Sequence, residues 1–220
     1  MPPADRAVSP REALTIARIV KVNHAGEYGA IRIYAAQIAV ARRLYPDEVP
    51  ALAEMREHEK RHCAVFRDAM PARRSRPCRV MALWSRGGWL LGFLTALLGH
   101  QGIWACTAAV EAAVHRHLDD QLHFLASRDA GLSGIILSIR EEELAHLNHA
   151  EAQLNAPTAF QRTLRRAIGG VTDGLIWLST WGDSARMARD LRRFREEEAR
   201  RGTTREAHAE HRDIAFDPKG

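Results

Sequence analysis

Apolar positions recur at three- and four-residue intervals through most of the chain, and no stretch keeps the strict alternation of a half-buried strand. The pattern predicts an all-α protein, and the breakers divide it into segments. Ser9-Pro10 reads as an N-cap followed by a first-turn proline, opening a helix over about 11–44. Pro46 and Pro50 punctuate a short connection, and a second helix over about 50–69 ends before Pro71. PARRSRPCRV (71–80) is a basic, proline-containing linker, and GGWLLGFLTALLG (87–99) is apolar on every side. A third long helix is expected over about 102–127, a turn around Gly131, a fourth helix over about 132–154, and a fifth over about 158–197 after Pro157. Residues 1–10 read as an N-terminal tail, 11–197 as one bundle, and 198–220 as a frayed polar tail.

The apolar segment changes the picture most. From Gly87 to Val110 there is no Asp, Glu, Lys or Arg, a length that approaches a membrane-spanning helix. Gly99-His100-Gln101-Gly102 interrupts it, so 87–99 is read as an anchor lying in the membrane plane. Trp84, Trp89 and Trp104 fall near its ends, and Arg73, Arg74, Arg76, Arg79 and Arg86 are expected to face lipid headgroups. The competing reading is a buried core helix or an oligomer interface.

Composition narrows the class further. A chain of 220 residues with 46% apolar content supports one packed domain. Its net charge of +5 comes from scattered arginines, not a stripe interleaved with aromatics, which argues against a nucleic-acid binder and suits an anionic lipid surface. Cys63, Cys78 and Cys106 never fall in C-x-x-C spacing, so neither a disulfide framework nor a zinc ribbon is expected, and a reducing compartment fits. MPPADRAVSP carries no apolar signal region, which makes the cytoplasm the default location.

The chemistry lies in EHEKRH (57–62). Read as H-E-x-x-H, it would make His58 and His62 zinc ligands and Glu59 the base of a peptidase. Read one residue later, it is Glu59-x-x-His62, a carboxylate and an imidazole side by side on one helix face. A second Glu-x-x-His, Glu143-Leu-Ala-His146, decides between them. Upstream of each motif lies one apolar-flanked glutamate, Glu27 in NHAGEYGA and Glu111 in CTAAVEAAV. Glu27 precedes Glu59 by 32 residues, Glu111 precedes Glu143 by 32, and the whole second set is the first displaced by 84. Two helix pairs that each supply a Glu and a Glu-x-x-His match the ligand inventory of the ferritin-like dimetal carboxylate bundles. Four carboxylates in a bundle core repel one another, and two divalent cations with two neutral imidazoles neutralise them. One imidazole per metal in an oxygen-rich set suits iron or manganese better than structural zinc. The peptidase reading leaves Glu27, Glu111 and the second motif unexplained, whereas the dimetal reading accounts for them and leaves His58, about 100° around the helix from Glu59, as a bystander.

With the motifs in place, NHAGEYGA (23–30), HEKRH (58–62), TALLG (95–99), ACTAAVE (105–111) and EEELAH (141–146) together resemble the demethoxyubiquinone hydroxylase family over about residues 15–187. The resemblance implies a ferritin-like four-helix bundle holding two irons, with manganese as the alternative metal. Glu59 and Glu143 would be the bridging carboxylates, Glu27 and His62 would complete one iron's set, and Glu111 and His146 the other's. It implies O₂ activation at the reduced site and transfer of one oxygen atom to the ring of a polyprenylated quinol. It further implies peripheral binding through 87–99 to the cytoplasmic face of a bacterial inner membrane or the matrix face of a mitochondrial one. A lipid-binding partner protein of the ubiquinone pathway and a homo-oligomer are expected with it.

Three departures stand out: Ala112 where many members carry a second acid, His117-Leu118 where much of the family has His-Tyr, and an extension over about 188–220. Asn23, His24, Tyr28, His117 and His149 are candidates to steady the metal-bound imidazoles. Trp177 and Trp181 read as packing or interface residues. The rival functions are a peroxide-reducing dimetal protein, a non-catalytic quinone-binding homologue and a storage cage. The apolar segment counts against the cage.

Overall fold

A computed structural model describes the backbone of residues 7–155 and 159–214, and side chains over the same span except 115–117, 160 and 201–214. The described residues form seven α-helices: α1 (Pro10–Leu44), α2 (Val49–Ala69), α3 (Met81–Leu97), α4 (His100–Leu125), α5 (Ala130–Ala152), α6 (Ala159–Ser179) and α7 (Asp183–Ile214). Among the described residues there is no strand. The helix starts follow the local chemistry. Ser9 Oγ accepts from the Glu12 amide at 3.3 Å while Glu12 Oε2 accepts from the Ser9 amide at 2.9 Å, a reciprocal cap with Pro10 at the first helical position. Asp129 caps α5 by accepting from the Leu132 amide at 2.9 Å.

Helices α1, α2, α4 and α5 make the bundle. Cross-bundle contacts give their directions: Asn23 meets Gln121 and Tyr34 meets Glu111, so α1 and α4 run antiparallel. Arg61 meets Glu142 and His58 meets His146, so α2 and α5 do likewise. Two apolar clusters fill the ends. One gathers Ile16, Ile19, Phe66, Leu118, Leu132 and Ile136, the other Tyr34, Ile38, Leu52, Met55, Ile103 and Trp104. The six residues singled out by the repeat lie between them along the helices.

Helix α3 is the long crossover between the two pairs and packs closely along α1. A Cβ on Gly92 would sit 2.3 Å from the Ile33 carbonyl oxygen, and one on Gly29 would sit 2.4 Å from the Trp84 ring. The absence of side chains at these positions lets the two backbones approach. This corrects part of the expected anchor. Trp84 and Trp104 are 1% and 0% exposed and belong to the core, with the Trp104 indole donating to Glu48 at 3.0 Å. Arg73 is held bidentately by Asp129 at 2.7 and 2.8 Å and does not face outward. The opposite face of α3 does expose Leu83, Leu90, Leu94, Leu97 and Leu98, with Trp89 stacked on Phe93, and Arg74, Arg76, Arg79 and Arg86 are exposed beside it. Among the described residues no helix is long and apolar enough to cross a membrane.

The expected single helix over 158–197 is two. Trp181 and Gly182 adopt left-handed φ values of 53° and 74°. The Gly182 amide donates to Trp177 O at 2.9 Å and the Trp181 amide to Leu178 O at 3.3 Å, the paired bonds that close a helix C-terminus. Gly182 was the available signal, and it was masked by the apolar periodicity on both sides. Helix α7 then folds back along α1, where Arg18 and Lys21 bind Asp183, and Arg11 and Arg18 bind Asp190. Its backbone stays helical to Ile214, well into the stretch expected to fray.

Candidate metal centre

Each of the six candidates is carried by the middle of a bundle helix: Glu27 on α1, Glu59 and His62 on α2, Glu111 on α4, Glu143 and His146 on α5. All six are buried. They form two overlapping groups, Glu27, Glu59, His62 and Glu143 in one and Glu59, Glu111, Glu143 and His146 in the other. Within each group every residue offers a ligand atom within 4.8 Å of the others, and Glu59 and Glu143 belong to both. The helical spacing of three explains why each Glu and its His meet: they project from one face, one turn apart.

The electrostatics are those of four carboxylates crowded into a buried centre. Burial pushes the Glu59 carboxyl well above the usual carboxylate range, and the nearby Glu143, Glu27 and Glu111 push it further. Burial and Glu143 do the same to Glu111. At His62 burial opposes the charged ring, but the adjacent Glu143 and Glu27 carboxylates outweigh it and raise the imidazole to about 10. His146 moves the other way, lowered chiefly by burial. Glu59 Oε1, Glu143 Oε1, His62 Nδ1 and His146 Nδ1 are buried without a hydrogen-bond partner, although His62 Nδ1 lies 3.0 Å from Glu143 Oε1. Buried polar atoms are ordinarily satisfied, so a converging set of unsatisfied acceptors and imidazole nitrogens is the donor set a pair of divalent cations requires. Oxygen donors with one imidazole per group fit the expected metals.

Several neighbours were not foreseen. Tyr34 is buried and its hydroxyl donates to Glu111 Oε1 at 2.7 Å, and burial together with the surrounding carboxylates raises the phenol well above its ordinary value. The signal was available, since Tyr34 lies two turns along α1 from Glu27. His58 is not a bystander: its Nδ1 lies 2.9 Å from His146 Nε2 and the rings stack. Glu142 also reaches the site, 3.4 Å from His62 Nε2. Of the residues proposed to steady the imidazoles, Asn23 pairs with Gln121 at 2.7 Å, and His149 packs edge-on against Trp104. His24 is buried and Tyr28 half-buried, and the His117 side chain lies outside the described residues. Leu118 is part of the apolar cluster around Ile19 and Phe66.

Fold and site together define a class: an all-α bundle whose centre gathers four glutamates and two histidines into a buried arrangement suited to two metal ions. Comparison with known sequences narrows it. Residues 14–179 match the family described as Ubiquinone biosynthesis protein COQ7, and the chain belongs to that family. It is 41% identical over 170 residues to the mouse NADPH-dependent 3-demethoxyubiquinone 3-hydroxylase, covering 74% of this chain and 76% of the relative. The human protein of the same name is 42% identical over 158 residues, covering 68% and 71%. The 3-demethoxyubiquinol 3-hydroxylase of Rhodospirillum rubrum is 38% identical over 172 residues, covering 77% and 80%. Helix α7 lies beyond the matched region.

Proposed function

We propose that this chain is a diiron monooxygenase that hydroxylates the ring of a demethoxyubiquinol intermediate in ubiquinone biosynthesis, working from the surface of a membrane. The observation that carries the reading is the sharing of Glu59 and Glu143 between two buried ligand groups, in a chain of this family. Glu27 and His62 would hold one iron, Glu111 and His146 the other, with Glu59 and Glu143 bridging. The metal pair, when bound and reduced, supplies electrons to O₂, so that one oxygen atom enters the ring and the other leaves as water. The protein's part is geometry and exclusion. The end clusters around Phe66 and Trp104 keep water from the carboxylates, and Tyr34 holds Glu111 through its hydroxyl.

Substrate delivery is assigned to the exposed side of α3. Leu83, Leu90, Leu94, Leu97 and Leu98 would enter the headgroup region, with Arg74, Arg76, Arg79 and Arg86 on anionic lipid. Val171, Trp177, Leu178 and Trp181, the last 72% exposed, widen this apolar surface where α6 meets α3, since Gly87 faces Leu175. A polyprenylated quinone then reaches the bundle without crossing water. We place the protein peripherally on the cytoplasmic face of an inner membrane, or the matrix face in a mitochondrion. A homo-oligomer and a lipid-binding partner of the pathway complete the proposal.

The test is to quantify iron in the purified chain and to ask whether it converts demethoxyubiquinol in vesicles supplied with NADPH, the reductant named for the mammalian relatives. Two irons per chain and hydroxylated product, both lost in Glu59→Ala and Glu143→Ala, are expected. Two irons with no quinol product but with peroxide consumption would replace the reading with the peroxide-reducing one.

A further inference from the structure

The two imidazoles at the centre use the same ring nitrogen. His62 Nδ1 lies 3.0 Å from Glu143 Oε1 and 3.8 Å from Glu27 Oε2, and His146 Nδ1 lies 3.4 Å from Glu59 Oε1 and 3.9 Å from Glu111 Oε1. The other nitrogen of each ring points across the α2–α5 seam. His62 Nε2 is buried without a full hydrogen bond and lies 3.4 Å from Glu142 Oε2. His146 Nε2 lies 2.9 Å from His58 Nδ1, with ring centroids 5.1 Å apart and planes at 22°.

Glu142 directly precedes Glu143, and His58 directly precedes Glu59. They are 84 residues apart, the same displacement that relates the six metal-site residues. The internal repeat therefore extends one residue beyond the ligand motifs. In each half, the residue before Glu-x-x-His backs the imidazole of the other half. The backing groups differ in kind, a carboxylate behind His62 and an imidazole behind His146. Glu142 also touches Arg61 at 2.9 Å and His58 at 3.4 Å, so one carboxylate at the half-exposed rim connects to both metal-facing rings.

We propose that Glu142 and His58 are positioning residues that fix the rotamer and tautomer of the two metal-facing imidazoles, and that their difference in kind makes the two metal positions inequivalent. The proposal rests on the dimetal reading above. A metal on Nδ1 leaves the imidazole proton on Nε2, where it needs an acceptor. For His62 that acceptor is the Glu142 carboxylate, 3.4 Å away. For His146 the group in reach is His58 Nδ1, 2.9 Å away, acting as acceptor with the His58 N–H on Nε2. A carboxylate behind an imidazole makes the ring a stronger donor than a neutral acceptor does. The position built from Glu27 and His62 is accordingly the tighter of the two.

Cobalt(II) titration of the metal-free full-length chain tests this without turnover, because visible absorption reports each binding step and the Nε2 protons of Co(II)-bound histidines give separate, exchangeable, strongly shifted NMR signals. In the wild type two ions bind and two such signals appear. Glu142→Ala weakens the tighter step by about 10–100-fold and removes or broadens one signal. His58→Ala weakens the looser step and affects the other signal, and His58→Gln, which keeps an acceptor, restores most of that loss. Both side chains are partly exposed, so thermal unfolding of the metal-free variants should match wild type and serves as the folding control. Unchanged affinities, or the same step and the same signal lost in both variants, overturn the proposal with the dimetal site intact. A wild-type chain that takes up fewer than two ions overturns the dimetal reading, and the positioning roles fall with it.

Discussion

The pair α1–α2 and the pair α4–α5 carry the same metal-site residues at the same spacing, yet almost everything around those residues differs. Glu27, Glu59 and His62 correspond to Glu111, Glu143 and His146, and core positions such as Ile19 and Ile103 or Leu52 and Ile136 correspond as well. Tyr34, which holds Glu111, corresponds to Leu118, which offers no polar group to Glu27. Each pair also has its own cover, α3 pressed onto α1 and α6 lying against α4. The two halves thus share the donor set that two ions would demand, and differ in the hydrogen bonds and covering helices around it.

The largest expected effect tests the shared part. Glu59→Ala removes a residue common to both ligand groups, so both ions should be lost and turnover should fall to background. Glu27→Ala removes a residue of one group only and should leave about one ion per chain by metal analysis. Equal losses in the two variants would mean that the halves are not organised around shared carboxylates.

Next in size is a test of the covers. A Cβ at Gly92 meets the Ile33 carbonyl, Cα and carbonyl carbon at 2.3–2.9 Å, and backbone cannot rotate away as a side chain can. Gly92→Ala should therefore cost about 2–4 kcal/mol in chemical denaturation, through displacement of α3 from α1. A cost below about 1 kcal/mol would show that α3 is not locked there.

Much of this organisation could be read in the sequence, and the parts that could not share a physical cause. The four bundle helices and the six residues that converge at their centre followed from periodicity, breakers and an exact repeat, because these are local or self-referential signals. Side chains that cross from one helix to another left no such trace. His58 lies on the wrong side of Glu59 for its own helix, yet α5 comes to it. Arg73, taken for a headgroup contact, meets an aspartate 56 residues away. The break at Trp181-Gly182 was hidden for a different reason, since a helix that stops and restarts keeps its apolar period on both sides.

A third expectation concerns the charge stored in the metal-free site. Burial and neighbouring carboxylates raise Glu59 and Glu111, so above the ordinary carboxylate range the folded apo-protein holds protons that the unfolded chain has released. Its stability falls as pH rises through that window. Glu59→Gln removes one of the four carboxylates. The variant should match wild type near pH 4 and become the more stable apo-protein as pH increases, by on the order of 1–3 kcal/mol at pH 8. Excess metal should reverse the order. A difference that does not change with pH would indicate that Glu59 stays ionised without metal.

Tyr34→Phe asks whether the unequal hydrogen bonds matter. The phenol donates to Glu111 from a buried position, and losing a single such bond costs about 1–1.5 kcal/mol. The loss should appear as roughly a tenfold weaker binding step at the Glu111–His146 position, with the other step unchanged. Weakening of both steps together would mean that the two positions respond as one unit.

The smallest effect should have the opposite sign. Gly170 sits on the exposed side of α6, and a Cβ there meets nothing within 4 Å. No close approach requires glycine at this position, so its cost is only the backbone entropy lost when a glycine becomes helical. Gly170→Ala should stabilise the protein by about 0.5–1 kcal/mol, read as a rise in the denaturation midpoint without a change in slope. Set beside Gly92→Ala, the same chemical change then separates a helix held by backbone contact from one held by side chains. A destabilising result at Gly170 would place a contact on α6 that the isolated chain does not contain, and the exposed Val171 beside it would be the first residue to examine for that partner.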